Sequence, residues 1–553
     1  MNQNATAASE PRIDFGALRA LVVDDYPGMR NALRLTLSNF GITKVQLAAS
    51  ASEAIFQIRN KAYDFILCDF NLGDGRDGQQ LLEELRHNRL IPLETVFIMV
   101  TAESFYEKVV ATAELAPDDY MIKPFSAEML CGRLVAILQR KRAFAEAYRH
   151  YQSQQVEAAI AACDKLLREQ PRYAVDALRF KGELLIALGR FDEAEKLYQQ
   201  VIAMRAVPWA RLGLARALHL KHDDDAAEAE LRDVLEHAPE MVAAYDLLAD
   251  VCMARKDSQS AQEALQHGVA VSARTVRRQQ RLGEVAMDNG DLDAARTAFS
   301  EAVEKGRHSI FIGPADYGNL CRVQLEQGDL KAVANTLRQN RRALESHPDG
   351  RLVMAVTQSR LYTREGKAGD AARALDNAAD LRAGGAQGDP HLLLDLASAC
   401  MANGRADEAD AVVADVARNA HDSEALLEKA RRIYAEAGRE AAGKSVLASA
   451  TADVRKLNNE GVVLAQKGDF RGATEKLLAA CESAPFNPRV SMNAVWVILK
   501  YLDQAGMDEK MILTARHHLA EAERRAPAHP RLAGLRLHLM EVESRFGIKR
   551  ASA

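Results

Sequence analysis

Five residues carry the chemistry that this chain could perform: Asp24, Asp25, Asp69, Thr101 and Lys123. Three carboxylates gathered in one pocket repel each other and need a counter-ion. A hard divalent cation with oxygen ligands, most simply Mg2+, meets that need. Asp25 and Asp69 are candidates for direct ligation, with Asp24 acting through water. A carboxylate can also attack phosphorus to give an acyl phosphate. The cation then neutralises phosphoryl oxygens, a lysine ammonium pairs with another, and a threonine hydroxyl donates to one that remains. On this chemistry Asp69 is the nucleophile and phosphoryl acceptor, Lys123 the electrostatic clamp and Thr101 the sensor. Taken singly, an aspartate or lysine after an apolar run is ordinarily a turn former or a solvated charge; the full set, in this order, is what argues for a site.

The elements that must position these residues are short apolar runs alternating with helical patterns. Leu21-Val22-Val23 ends in Asp24-Asp25, and Phe65-Ile66-Leu67-Cys68 ends in Asp69. Val96 to Val100 ends in Thr101, and Tyr120-Met121-Ile122 ends in Lys123-Pro124. Val45 to Ala48 is a further strand. Between them, helical faces are predicted over 29–40, from a Ser52 cap to Asn60, around Leu81, Leu82 and Leu85, over 104–115, and from Ser126 onward. This alternation predicts an α/β fold, a parallel sheet with helices on both faces. Chemistry in such sheets collects beyond the carboxyl ends of the strands. Residues up to about 100 positions apart are thereby brought together.

The pattern Val-Val-Asp24-Asp25, Asp69, Thr101, Tyr120-x-x-Lys123-Pro124 closely resembles the receiver domain of bacterial two-component response regulators, over about 125 residues. The resemblance implies a flavodoxin-like fold with five parallel strands in the order 2-1-3-4-5. It implies phosphotransfer to Asp69 from a histidine kinase, a phosphotransfer protein or a small phosphodonor. It further implies that Asn71 ligates the metal through its backbone carbonyl, that Tyr120 is a switch aromatic moving inward with Thr101, and that Lys123-Pro124 is a cis peptide, an isomer accessible mainly before proline. Asn71 and Glu103 flank the site at positions that tune dephosphorylation in the family. One stretch departs from the common pattern: Phe70-Asn71-Leu72-Gly73 stands where many receivers have a Met-Pro step. With three glycines by Gly78 it reads as a flexible loop, not a nucleotide phosphate loop, because no Lys-Ser/Thr follows.

The remainder of the 553 residues is repetitive. Ala227/Leu231/Val234, Ala261/Leu265/Gly268 and Ala295/Phe299/Ala302 each lie on one helical face, and each set follows the last by 34 residues. Leu214/Ala215/Leu218, Leu248/Ala249/Cys252 and Leu282/Gly283/Ala286 repeat the spacing on the preceding helices. This resembles the tetratricopeptide repeat, a 34-residue helix-turn-helix unit. Further units are readable around Gly182 to Tyr198 and Gly461 to Pro485, and looser ones around Gly328, Gly366, Gly404 and Gly438. About nine or ten units are expected over 143–546, less regular between 306 and 451. Bends are expected at 306–314 and 384–390, and a capping helix after Pro530. No Gly-, Ser- or Pro-rich linker separates the two parts, so a nearly continuous helix is expected across the junction. The expected organisation is a disordered segment 1–17, a receiver 18–142, an all-α repeat superhelix 143–546 and a disordered tail 547–553.

Composition bounds the remaining possibilities. The formal net charge of −5 offers no bulk attraction for nucleic acid, and no DNA partner is expected. No run of about 18 apolar residues occurs, so membrane insertion is not expected. The N-terminal segment lacks the pattern of a signal peptide, and seven scattered cysteines without a Cys-x-x-Cys pair suggest free thiols in a reducing, cytoplasmic compartment. The repeats hold no catalytic triad or other catalytic constellation. His517-His518 are adjacent on a helix and make a poor metal pair. Arg277-Arg278 and Arg341-Arg342 read as solvated faces. The expected function is a phosphorylation-controlled adaptor whose repeat groove binds a protein or peptide. It is not an enzyme apart from self-phosphorylation and dephosphorylation. The alternatives are a phosphorylation-independent scaffold or a phosphate sink, with an RNA-binding regulator less supported by the acidic balance.

Overall fold

The computed structural model describes residues 13–73, 75–102, 117–153, 155–205, 207–272, 275–526, 529 and 531–547. It begins with β1 (Arg19–Val23), α1 (Pro27–Asn39), β2 (Lys44–Ala48), α2 (Ala51–Asn60), β3 (Phe65–Asp69), α3 (Gly78–His87), β4 (Val96–Thr101), β5 (Asp119–Ile122) and α4 (Ala127–Ala143). The helix expected over 104–115 lies outside the described residues. All strand pairs are parallel, in the order β2-β1-β3-β4-β5.

The strands are near-continuous apolar runs because both faces of the sheet are covered. Alternate residues serve opposite cores. Leu21, Val23, Ile66, Cys68, Phe97 and Met99 pack with α2 and α3, while Ala20, Val22, Phe65, Leu67, Ile98 and Val100 pack with α1 and α4. Ile13 and Phe15, in the stretch expected to be a disordered lead-in, also pack against this second core. The cap of α2 is Ser50 rather than Ser52. Ser50 is extended, and its hydroxyl accepts the Glu53 amide at 3.3 Å, whereas Ser52 already lies in the first turn.

The junction is helical. Between α4 and the helix Ala145–Gln152, Phe144 keeps right-handed backbone angles (φ −86°, ψ −2°). The Phe144 amide donates to Arg140 at 3.2 Å and the Tyr148 amide to Phe144 at 2.9 Å, so helical bonding runs through the interruption. The Phe144 ring is buried with Leu166 and Ala177, against Tyr148, Tyr173 and Phe180. Lys141, also buried, pairs at 2.8 Å with Asp118, the residue just before β5.

The chain then consists of helix pairs, from Val156–Glu169 to the helix Arg531–Arg545. Gly189, His222, Lys256, Gly290, Gly328, Gly366, Gly404, Gly438 and Gly468 all have positive φ, between 63° and 83°. Each ends the first helix of a pair in a left-handed turn. The next residue's amide reaches back five positions, as from Asp223 to Leu218, Asp257 to Cys252 and Asp291 to Ala286. In those units the same aspartate caps the following helix. Turn positions Gly290, Gly328, Gly366 and Gly404 are evenly spaced by 38 residues. The stretch expected to be less regular is therefore a second regular period. Around 440–466 two repeat helices fuse into one of 27 residues, Glu440–Gln466, since no Gly or Pro interrupts 444–460. The final helix buries Leu532, Leu535, Leu539 and Val542 against Met492, Ile498 and Leu519, which covers the last pair.

Close approach within the repeats depends on small residues. The Tyr198 ring is fully buried, and a Cβ at Gly182 or Gly213 would lie 2.4 Å from its atoms. Gly213→Ala is therefore expected to destabilise the full chain by about 1–3 kcal/mol through overpacking. Tyr198→Phe, which removes a buried hydroxyl without a hydrogen-bond partner, should leave stability unchanged or raised. Urea unfolding followed by circular dichroism measures both; a Gly213→Ala midpoint equal to wild type would contradict the packing argument.

No helix among the described residues is long and apolar enough to cross a membrane. The seven cysteines are free; all but Cys131 are buried and act as core filler.

Candidate functional site

The register places Asp24, Asp69, Thr101 and Lys123 at one edge of the sheet. Val23 pairs with Cys68, Asp69 with Val100, and Thr101 with Ile122. Parallel strands deliver their carboxyl ends to a common edge, so side chains 99 positions apart in sequence meet. Lys123 Nζ lies 2.7 Å from Asp69 Oδ1 and 3.2 Å from Asp24 Oδ2. Asp24 is 2% exposed, and its Oδ1 accepts the Tyr26 amide at 2.8 Å. The Asn71 amide donates to Asp69 Oδ2 at 3.2 Å. The Lys123 amide donates to the Thr101 carbonyl at 2.7 Å, and Thr101 is itself buried. Lys123-Pro124 is cis.

Electrostatics at this edge follow from partial burial. Burial pushes the Asp69 carboxyl above the ordinary carboxylate range, against the pull of the Lys123 ammonium. Burial also works to lower the Lys123 ammonium, but Asp69 and Asp24 outweigh it and hold the group above its ordinary value. Beneath them, burial and the neighbouring carboxylates Asp69, Asp77 and Asp24 push the Cys68 thiol well up, which makes it inert core. Tyr120 packs partly buried against the α2/α3 core. Among the described residues its buried hydroxyl has no hydrogen-bond partner, and burial raises its pKa.

The candidate donors Asp24, Asp25 and Asp69 and the Asn71 carbonyl are all hard oxygens, which fits a divalent cation in kind. Asp25 stands beside the loop that follows β3: its Oδ2 would lie 3.2 Å from a Cβ on Gly73, a residue with φ 76°. Among the described residues no three His, Cys, Asp or Glu side chains converge tightly enough to enclose a cation unaided. The Lys123 ammonium lies against two of the carboxylates and supplies the counter-charge there. Glu103, expected to flank the site, lies outside the described residues.

The loop after Asp69 differs from the expected flexible one. Phe70 and Leu72 are buried in the core, and the Phe70 amide donates to Val100 at 2.8 Å. Gly78 opens α3 against β3: a Cβ there would lie 2.3 Å from the Asp69 carbonyl oxygen. Asp77 and Gln80 cap α3 reciprocally, at 2.8 and 3.2 Å. Sequence reasoning missed this cap, although Asp77-Gly78-Gln79-Gln80 spells a capping box.

The arginine pair at 277–278 is another difference. Arg278 is 3% exposed and holds Asp246 through two hydrogen bonds of 2.7 and 2.6 Å, while Arg277 lies over the Phe311 ring. Neither is a solvated face, because stacking of successive units supplies partners that sequence neighbourhood does not. Trp209 is half-buried edge-on to Tyr198, and Trp496, though exposed, stands edge-on to Phe470.

Known proteins are similar to separate parts of this chain. Residues 20–135 match the family described as response regulator receiver domain. Residues 144–209 and 181–232 match the tetratricopeptide repeat. Chemotaxis protein CheY of Pseudomonas aeruginosa is 28% identical over 123 residues, 22% of this chain and 98% of that protein. Chemotaxis protein CheY-3 of Vibrio cholerae is 29% identical over 123 residues, 22% of this chain and 93% of that protein. Among solved structures, a CheY-like response regulator receiver domain protein from Methanospirillum hungatei is 28% identical with a TM-score of 0.21, covering 23% of this chain and 96% of that one.

Proposed function

We propose that this chain, a response regulator with a receiver domain and tetratricopeptide repeats, is switched by phosphoryl transfer to Asp69 and answers through protein binding by its repeats. The observation that carries the proposal is the contact of Lys123 Nζ with both Asp69 and Asp24, at 2.7 and 3.2 Å. In this proposal residues 18–142 are the switch and 143–546 the binding part.

The donor is a histidine kinase, a phosphotransfer protein or a small acyl phosphate. A carboxylate oxygen of Asp69 attacks phosphorus, and the bond from phosphorus to the donor's nitrogen or oxygen breaks, the leaving group keeping the electron pair. A Mg2+ held by Asp24, Asp25, Asp69 and the Asn71 carbonyl would neutralise charge on the phosphoryl oxygens. Lys123 pairs with a phosphoryl oxygen once Asp69 carries the acyl phosphate, and the Thr101 hydroxyl donates to another. That the Tyr120 hydroxyl has no partner among the described residues supports a switch role for that ring. A buried unsatisfied polar group costs about 1–3 kcal/mol, so a second arrangement that satisfies it is energetically close.

Two measurements test the proposal. Incubation of the full chain with acetyl phosphate and Mg2+ is expected to add one phosphoryl group by intact mass, and chelation with EDTA to stop it; equal labelling in EDTA would refute the metal requirement. Capture of a binding partner by wild-type protein under phosphorylating conditions, compared with Asp69→Asn, reads the output. Identical partners from both would favour a scaffold or a phosphate sink.

A further inference from the structure

The chain is expected to bend at 306–314, and this stretch does more than turn. Earlier repeat units join consecutive pairs by four residues, as between His237 and Val242 or Val271 and Val276. Between Lys305 and Pro314 there are eight. The longer loop is internally ordered. The Ser309 amide donates to Gly306 at 2.7 Å, and the Phe311 amide to the Ser309 hydroxyl at 3.2 Å. Gly306 lets the loop fold on itself, since a Cβ there would lie 2.3 Å from Ile312 Cγ1.

This loop meets α3 of the receiver. Gln80 Nε2 donates to the Lys305 carbonyl at 3.2 Å. The His87 ring stands edge-on to Phe311, with centroids 5.5 Å apart and planes at 82°. On the array side the Arg277 guanidinium lies 3.9 Å from the Phe311 centroid, and Gln280 Nε2 donates to the Phe311 carbonyl at 2.9 Å. Phe311 is thus held between a receiver ring and an array cation, geometry that favours an aromatic side chain.

The receiver end of this contact is wired to the acceptor. Gln80 donates an amide N–H to the Lys305 carbonyl, and its amide oxygen accepts the Asp77 backbone N–H. Asp77 caps α3, whose first residue, Gly78, donates to Phe70 at 2.8 Å and abuts the Asp69 carbonyl. One side chain therefore both closes the helix after the acceptor and grips the repeat loop. We propose that α3 and the loop 305–312 form an intramolecular latch that holds the receiver on the array, and that modification of Asp69 loosens it by disturbing the α3 cap. The second half rests on Asp69 being the acceptor; the first half does not.

Hydrogen exchange on the full chain tests both halves. Phe311→Ala, and independently the exposed His87→Ala on the receiver side, should each speed amide exchange in peptides covering 78–90 and 305–312 by about fivefold, the scale of one lost polar or ring contact. Unchanged exchange in both variants overturns the latch. Beryllofluoride with Mg2+, a phosphoryl mimic, should speed exchange in the same peptides of wild type and have no effect in Asp69→Asn. A beryllofluoride adduct, seen by 19F resonance, without faster exchange at 305–312 overturns the coupling alone. Absence of any adduct overturns the acceptor assignment and the coupling together, while the Phe311 and His87 variants still decide whether the latch exists.

Discussion

Asp69→Asn is expected to abolish phosphoryl incorporation from acetyl phosphate in Mg2+, measured by intact mass. Asparagine keeps the size and most hydrogen bonding of the side chain but lacks the anionic oxygen that attacks phosphorus. The Asn71 amide can still donate to its oxygen, so the fold should persist. Lys123→Met separates the roles further. It keeps the nucleophile and removes the ammonium that lies 2.7 Å from Asp69, so labelling should fall by about 100- to 1,000-fold without vanishing, the scale for losing one electrostatic contact to a developing anion. Undiminished labelling of Asp69→Asn would move the acceptor elsewhere.

Asp395→Asn is expected to produce the largest loss of stability in the repeat region. Asp395 is buried and answers three cations from neighbouring units. Arg322 Nε donates to it at 2.6 Å, Arg360 lies at 3.2 Å and Lys429 at 3.6 Å. Arg322 is as buried as its partner. Removing this shared anion leaves Arg322 and Lys429 with the weaker field of Asp389, and breaking a buried pair from one side costs about 3–5 kcal/mol. Arg360 retains Glu326 at 2.9 Å, which places the loss mainly on Arg322 and Lys429. Urea unfolding by circular dichroism should show a lower midpoint for the helices of this region. A midpoint equal to wild type would show that the network contributes nothing. Replacing Arg322 and Asp395 together by apolar residues of similar volume should cost much less than the single change, because no stranded charge remains.

The pH dependence of that network follows from the same geometry. The three cations hold the Asp395 carboxyl below its ordinary value in spite of burial. A depressed carboxylate contributes stability that is complete above the unfolded value, about 3.9, and is lost only as pH falls through the folded one. The array should thus keep this contribution through mildly acidic pH.

The chain itself determined the receiver edge. Asp24, Asp69, Thr101 and Lys123 each follow an apolar run of strand length, and parallel pairing delivers such positions to one edge, where the neighbouring places of β1, β3, β4 and β5 bring them together. The helix pairs were equally legible, because a left-handed turn position and one apolar helical face recur at fixed spacing. Only the tertiary structure decided what depends on distance through space. The Arg322–Asp395 contact spans 73 positions, and no local pattern marks either residue as buried or paired. The Gln80–Lys305 contact spans 225 positions and depends on how successive units stack. Arg278 reads as a surface charge until stacking brings Asp246 to it. Local propensity and periodicity are properties of neighbours along the chain; ion pairs and docking contacts are properties of neighbours across it, and those are set only once the repeats have stacked.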